Sequence, residues 1–120
     1  WMQQIITALG QRVPVTVFGR GVHQNWEQLI QTGANALSID WNINLPALSK
    51  QLPSTLALQG NLDPALLTAS PAVAIEQTQR LLEGMRGRDG FIFNLGHGVP
   101  PNASIETITA ITQTVQTYHG

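Results

Sequence analysis

Four short apolar runs punctuate the chain, and a helical pattern separates each from the next. The runs cover residues 13–18, 36–40, 55–60 and 90–95. The first, Val13-Pro14-Val15-Thr16-Val17-Phe18, is β-branched and continuous rather than alternating. Continuous apolar runs suit parallel strands that are buried on both faces. Between the runs the apolar spacing changes to that of a helix. Residues 2–10 set Met2, Ile5, Ile6 and Leu9 on one helical face, with Gly10 as the stop. Residues 24–32 turn Trp26, Leu29 and Ile30 inward, and Gly33 ends that helix. A short helix is expected near 45–51. Asp63 and Pro64 read as cap and first position of the next helix, and Ser70-Pro71 repeats the signal for a longer one over about 71–87. The last helix is expected over about 104–118, with Ile105, Ile108, Ile111 and Val115 in step.

Strands that alternate with helices build a parallel α/β sheet. Four βα units are half of a (β/α)8 barrel, and they are also the core of a small doubly wound domain. The loops favour the barrel. The turns rich in Gly, Asn, Asp and His all follow strands, whereas the helix-to-strand connections are plain, as in Gly33-Ala34-Asn35. A doubly wound sheet would gather its polar turns at one switch point. No GxGxxG or GxxxxGK[ST] pattern follows any strand, which lowers a nucleotide-binding reading further. A half-barrel leaves two open sheet edges and an unfilled interior. The expectation is that further strands complete it, or that it pairs with another copy. The chain starts at Trp1, and Met2-Gln3-Gln4-Ile5-Ile6 already looks like the middle of a helix. The start is therefore expected to be a cut inside a longer chain.

Charge and cysteine content narrow the function classes. Charged residues are 11% of the chain, against roughly 25% in an average soluble domain. A surface so poor in charge is carried by Gln, Thr and Asn, or it is partly covered by something else. The net charge of −1 offers no basic footprint for nucleic acid. Arg80, Arg86 and Arg88 gather loosely at one helix end, where cations suit the dipole. The absence of cysteine removes disulfides, thiolate metal sites and cysteine nucleophiles together, and it fits a reducing compartment. No apolar run approaches the length of about 18 residues that a membrane span requires, and no signal peptide is visible.

The strand ends carry the candidate chemistry. The first presents Arg20 and His23, the second Asp40 and Trp41, the third Gln59, Asn61 and Asp63, and the fourth Asn94 and His97. The fourth is the most pointed. Phe91-Ile92-Phe93 leads into Asn94-Leu95-Gly96-His97-Gly98-Val99-Pro100-Pro101, a turn with one histidine between two glycines. An imidazole there could bond a ligand carboxylate or give up a proton, since imidazoles titrate near neutrality. Gly96 and Gly98 would let the backbone approach a ligand closely. Arg20 could clamp a carboxylate or stand as a solvated loop charge. His23 reads as structural. Asp40 could orient a partner or cap the next helix. Asn61 and Asp63 read mostly as turn and cap residues. The three tryptophans read as packing, although Trp41 beside Asp40 could line a pocket. His23, His97 and His119 are too far apart in sequence to suggest a metal site, and no G-x-S-x-G elbow is present for a serine nucleophile.

Three stretches together resemble one family. Leu58-Gln59-Gly60-Asn61-Leu62-Asp63-Pro64 resembles the LQGNLDP segment of uroporphyrinogen decarboxylases. Asn94-Leu95-Gly96-His97-Gly98, followed by Pro100, resembles their NLGHG turn. Ser38-Ile39-Asp40-Trp41 resembles their G-L-D-W strand end, with Ser38 in place of the usual glycine. Val15-Thr16-Val17-Phe18, then Glu27, Leu29 and Gly33, fits the segment before it. The likeness runs over nearly the whole chain and in the same order.

That resemblance implies that residues 1–120 are the carboxyl-terminal portion of a single (β/α)8 barrel domain, contributing its last four βα units. It implies a decarboxylase that turns uroporphyrinogen III into coproporphyrinogen III by removing the carboxyl groups of four acetate side chains, in tetrapyrrole and heme biosynthesis. It implies no metal or organic cofactor, a cytoplasmic homodimer, a tetrapyrrole substrate, and neither nucleic acid nor membrane as a partner. In the family the arginine-rich segment and the catalytic aspartate lie in the amino-terminal part, so the catalytic groups are expected upstream of Trp1. Only the histidine of NLGHG carries over, as His97, in a substrate-binding role. Arg20, Asp40, Asn61, Gly96 and Gly98 are candidates for lining the same cleft; Arg20 and His23 follow a variable turn and inherit no role. Two other functions compete. A cobamide-dependent methyltransferase of the same superfamily would need a His-x-Cys pair and a later cysteine, and the chain has none. A non-catalytic half-barrel that binds its complement is the other.

Overall fold

The computed structural model describes residues 1–21 and 25–120. Within these residues four strands form one parallel sheet: β1 (Thr16–Phe18), β2 (Ala36–Ser38), β3 (Ala57–Leu62) and β4 (Phe91–Leu95). Their spatial order is β1-β2-β3-β4, the order of the sequence. Each crossover therefore steps to the next strand in the same direction. A doubly wound sheet would reverse direction at its switch point, whereas a barrel never does. The architecture is one half of a (β/α)8 barrel.

Among the described residues five α-helices accompany the sheet: α1 (Met2–Leu9), α2 (Trp26–Ile30), α3 (Leu45–Ser49), α4 (Pro71–Gly84) and α5 (Ile105–Thr117). Their starts follow from local chemistry. Asn44 caps α3 by accepting a hydrogen bond from the Ala47 amide. Asp63 accepts from the Ala65 amide and, with Pro64, opens a short 3₁₀ turn rather than an α-helix. Pro71 occupies the first turn of α4, where its missing N–H costs nothing. Ser104 caps α5 at the Thr107 amide. Rich in Ile and Thr, α5 has weak intrinsic propensity. The hydroxyls of Thr109, Thr112 and Thr114 turn back onto carbonyls four residues earlier, and Thr107 and Ile111 are buried. Tertiary packing holds this helix more than its sequence does.

Strand register divides the sheet into two unlike faces. Val17, Leu37, Leu58 and Phe91 lie side by side on one face. They meet Leu29 of α2, Leu45 and Leu48 of α3, Leu81 of α4 and Ile111 of α5 in a single core. Leu37, Leu45 and Leu58 are fully buried, and each such side chain is worth about 2–3 kcal/mol of transfer free energy. The neighbouring row is Phe18, Ser38, Gln59 and Ile92. Phe18 is 43% exposed and Ile92 45%. Among the described residues no helix covers this face, which is the side that a closed barrel turns inward.

Several sequence expectations change here. Of the face formed by Met2, Ile5, Ile6 and Leu9, only Met2 and Ile6 pack against the core, while Ile5 and Leu9 are exposed. The helix α1 precedes an edge strand and buries none of its residues. Trp1 and Trp41 are exposed rather than packed, and Trp26 alone joins the core margin. The three arginines separate. Arg80 pairs with Glu76 along α4, and Arg86 lies past its end, bound to Glu83 and Tyr118. Arg88 donates to the carbonyls of Ser49, Pro53 and Leu56, so it ties the loop after α3 to the entry of β4. None of the three stands in the last turn of α4.

Candidate functional site at the carboxyl ends of the strands

The polar strand ends converge at one end of the sheet. After β2 the chain runs through Ile39 and Asp40 to Trp41. The Ile39 amide donates to the Gln59 carbonyl of β3. The Asp40 carboxylate is buried and accepts from the Trp41 amide at 2.9 Å. It does not cap the next helix; Asn44 does. Asn61, at the end of β3, is also buried. Its Nδ2 donates to the Asp40 carbonyl at 2.9 Å and to the Ile43 carbonyl at 2.6 Å. The side chain expected to be a turn residue is thus a staple between the ends of β2 and β3.

The histidine turn leaves β4 beside this staple. The Gly96 amide donates to the Leu62 carbonyl at 2.8 Å, extending the β3–β4 ladder by one bond. A Cβ on Gly96 would lie 2.3 Å from the Trp41 nitrogen and 2.6 Å from its Cβ. Glycine is therefore required at 96 by the Trp41 backbone of this chain. At Gly98 a Cβ would meet nothing within 4 Å. The sequence treated the two glycines as equivalent, but only the first is sterically demanded.

His97 is exposed, and its ring centroid lies 6.1 Å from that of Phe18, tilted by 37°. The two rings border a hollow of about 320 Å³ that also touches Ser38, Asn94, Gly96 and Gly98. It opens over the uncovered row of the sheet. In that row Gln59 Nε2 donates to Ser38 Oγ at 3.2 Å. The hollow is thus lined by one aromatic ring, the neutral polar side chains of Ser38 and Asn94, Leu95 and the two glycines, with one imidazole on its rim. Among the described residues no Asp, Glu, Lys or Arg side chain lines it.

Phe18 and Ser38 were not among the sequence candidates. Strand register was the missing signal: it sets Phe18, Ser38 and Gln59 in one row. Arg20 is exposed in the turn after β1 and does not line the hollow. Asp40 and Asn61 do not line it either. His23 falls outside the described residues. A larger hollow of about 530 Å³ sits between α1 and the residues entering β1 and β2, among them Ile6, Val13, Val15 and Asn35. It lies at the amino ends of the strands, where barrels conserve stability rather than chemistry. Among the described residues no group of His, Asp and Glu could hold a metal ion, and no helix is long and apolar enough to cross a membrane.

Comparison with known proteins extends over the same elements. The model of the family described as uroporphyrinogen decarboxylase (URO-D) matches residues 1–118. A curated uroporphyrinogen decarboxylase of Cronobacter sakazakii is 37% identical over 128 aligned residues, covering 99% of this chain and 36% of the relative. That of Aeromonas salmonicida is 36% identical, covering 100% of this chain and 36% of the relative. That of Ralstonia pickettii is 40% identical, with 91% and 30% covered. The chain spans about a third of the length of the curated relatives it matches.

Proposed function

The chain belongs to the uroporphyrinogen decarboxylase family, and on that footing we propose that it is the carboxyl-terminal half-barrel of an enzyme that decarboxylates uroporphyrinogen III to coproporphyrinogen III. The observation that carries this reading is the position of His97. It stands on the strand-end rim of an open sheet face, beside the ring of Phe18. A tetrapyrrole is a broad apolar macrocycle fringed with carboxylates. An aromatic ring, neutral polar side chains and a rim imidazole match its face and its fringe.

The chemistry explains what this half supplies and what it leaves to the rest of the enzyme. An arylacetate loses carbon dioxide only if the electrons of the breaking C–C bond have somewhere to go. A proton added to a pyrrole carbon makes the ring cationic and creates that sink. The bond to the carboxylate then breaks, carbon dioxide leaves, and the pair flows into the ring. Protonation of the resulting exocyclic methylene carbon gives the methyl group, and loss of the first proton restores the pyrrole. The net change is one carboxylate and one proton converted to one C–H bond and carbon dioxide.

Holding such a polyanion calls for cations, and stabilising a cationic pyrrole calls for a carboxylate. The hollow described here contributes neither. His97 acts as a donor to a substrate carboxylate, Phe18 stacks on the macrocycle, and Ser38, whose Oγ accepts from Gln59, offers a neutral polar group beside it. The reacting carboxylate and the anion-binding arginines belong to the amino-terminal part of the barrel. The complete enzyme acts as a homodimer in the cytoplasm and needs no cofactor.

Decarboxylation by the 120-residue chain, alone and combined with the amino-terminal part of the enzyme, tests this. Coproporphyrinogen should accumulate only in the combination. Turnover by the 120 residues alone would overturn the division of labour.

A further inference from the structure

We propose that Asn61 is a positioning residue for His97, acting through the backbone at Asp40 and Trp41; the proposal rests on His97 being a substrate contact. Three observations join these residues. Asn61 gives both hydrogens of its amide to carbonyls on either side of Trp41, those of Asp40 and Ile43. Gly96, adjacent to His97, sits so close to Trp41 that a Cβ would fall 2.5 Å from the Trp41 Cα. The Gly96 amide is held in turn by the Leu62 carbonyl, immediately after Asn61.

The Trp41 backbone is thus pinned from one side by Asn61 and pressed from the other by Gly96. Close-packed backbone transmits displacement because it has no slack to absorb it. If the Asn61 staple is lost, two buried carbonyls lose their donor and the loop around Trp41 relaxes. Gly96 then loses the surface that sets its height, and the imidazole one residue on shifts against Phe18. A misplacement of this kind falls on substrate binding, since His97 binds and does not react. Asn61 touches no part of the hollow itself, so its effect is indirect.

The test uses the full-length enzyme with histidine labelled at Cε1, and the His97 signal is assigned by its loss in H97N. Asn61→Ala removes the staple. Arg88→Ala is the control: its guanidinium donates to the Ser49, Pro53 and Leu56 carbonyls beside the amino ends of β3 and β4, at the other end of the sheet. The expected result is a shifted His97 resonance in substrate-free N61A and a KM raised roughly tenfold at nearly constant kcat. R88A, with a comparable loss of stability, should leave both at parental values. Asn61→Ser, which keeps one shorter donor, should give intermediate shifts and serves if N61A does not fold. An N61A or N61S enzyme with lowered Tm but a parental His97 resonance would overturn the proposal. The resonance is read without substrate. If instead H97N leaves KM unchanged while N61A moves the resonance, the role of His97 fails and the positioning by Asn61 stands.

Discussion

Gly96 rests directly on the backbone of Trp41, with only 2.3 Å between the Trp41 nitrogen and the place a Cβ would take. The turn that carries His97 is therefore fitted against the end of β2 by the absence of one methyl group. Gly96→Ala in the full-length protein should cost about 2–3 kcal/mol, the range of an overpacked interior contact. Gly98→Ala, with nothing in reach, should stay within about 0.5 kcal/mol of the parent. Urea denaturation of the two variants measures this, and equal midpoints would contradict the packing described.

Arg88 predicts a second contrast. Its guanidinium gathers three backbone carbonyls, one from the end of α3 and two from the loop after it, at 2.7–3.0 Å. Arg88→Ala leaves those groups without a charged donor and should destabilise by about 2–3 kcal/mol. Arg88→Lys should recover less than half, because one ammonium cannot span the same fork. Arg80, paired with Glu76 on the exposed face of α4, should be replaceable by alanine at a cost of about 0.5 kcal/mol or less. Thermal melts of the three variants decide between the roles. An Arg88→Ala melt as mild as that of Arg80→Ala would show the clamp to be idle.

The uncovered face predicts opposite effects in two contexts. Phe18 and Ile92 are nearly half exposed on the face that a complete barrel would bury. In the isolated 120-residue chain they should drive self-association, and replacing both with serine should shift sedimentation toward monomer. In the full-length protein the same double substitution should destabilise by about 3 kcal/mol or more, since it removes apolar volume from a filled interior. A parental chain that stays monomeric at high concentration, or a full-length variant as stable as its parent, would argue against this face being a barrel interior.

Much of the fold was legible in the sequence because its signals are local. Each strand run and each helix pattern reappears with bounds moved by a few residues: α4 ends at Gly84 rather than near 87, and β3 runs on to Leu62 through the residues expected to turn. Asp63-Pro64 announced a cap, and the structure supplies it. What stayed hidden depends on pairs distant in sequence. Asn61 bonds carbonyls 21 and 18 residues away, and no local pattern distinguishes such a staple from a turn asparagine. Gly96 and Gly98 are identical in sequence context, and only the approach of Trp41 separates them. Arg88 reads as a helix-end charge until the loop after α3 is folded against it. The row of Phe18, Ser38 and Gln59 emerges only once register is known. His97 was the exception, since a lone histidine between glycines after a strand is visible without the fold.

The central claim is that His97 contacts the substrate from the rim of the strand ends. The most direct measurement is kcat/KM of the full-length His97→Asn variant with uroporphyrinogen, taken alongside its thermal midpoint. His97 is exposed, so the variant should melt with its parent while kcat/KM falls by roughly tenfold or more, about 1.4 kcal/mol of lost transition-state binding. Parental kcat/KM, or a large drop in melting temperature with unchanged kinetics, would contradict the account and return His97 to an ordinary turn residue.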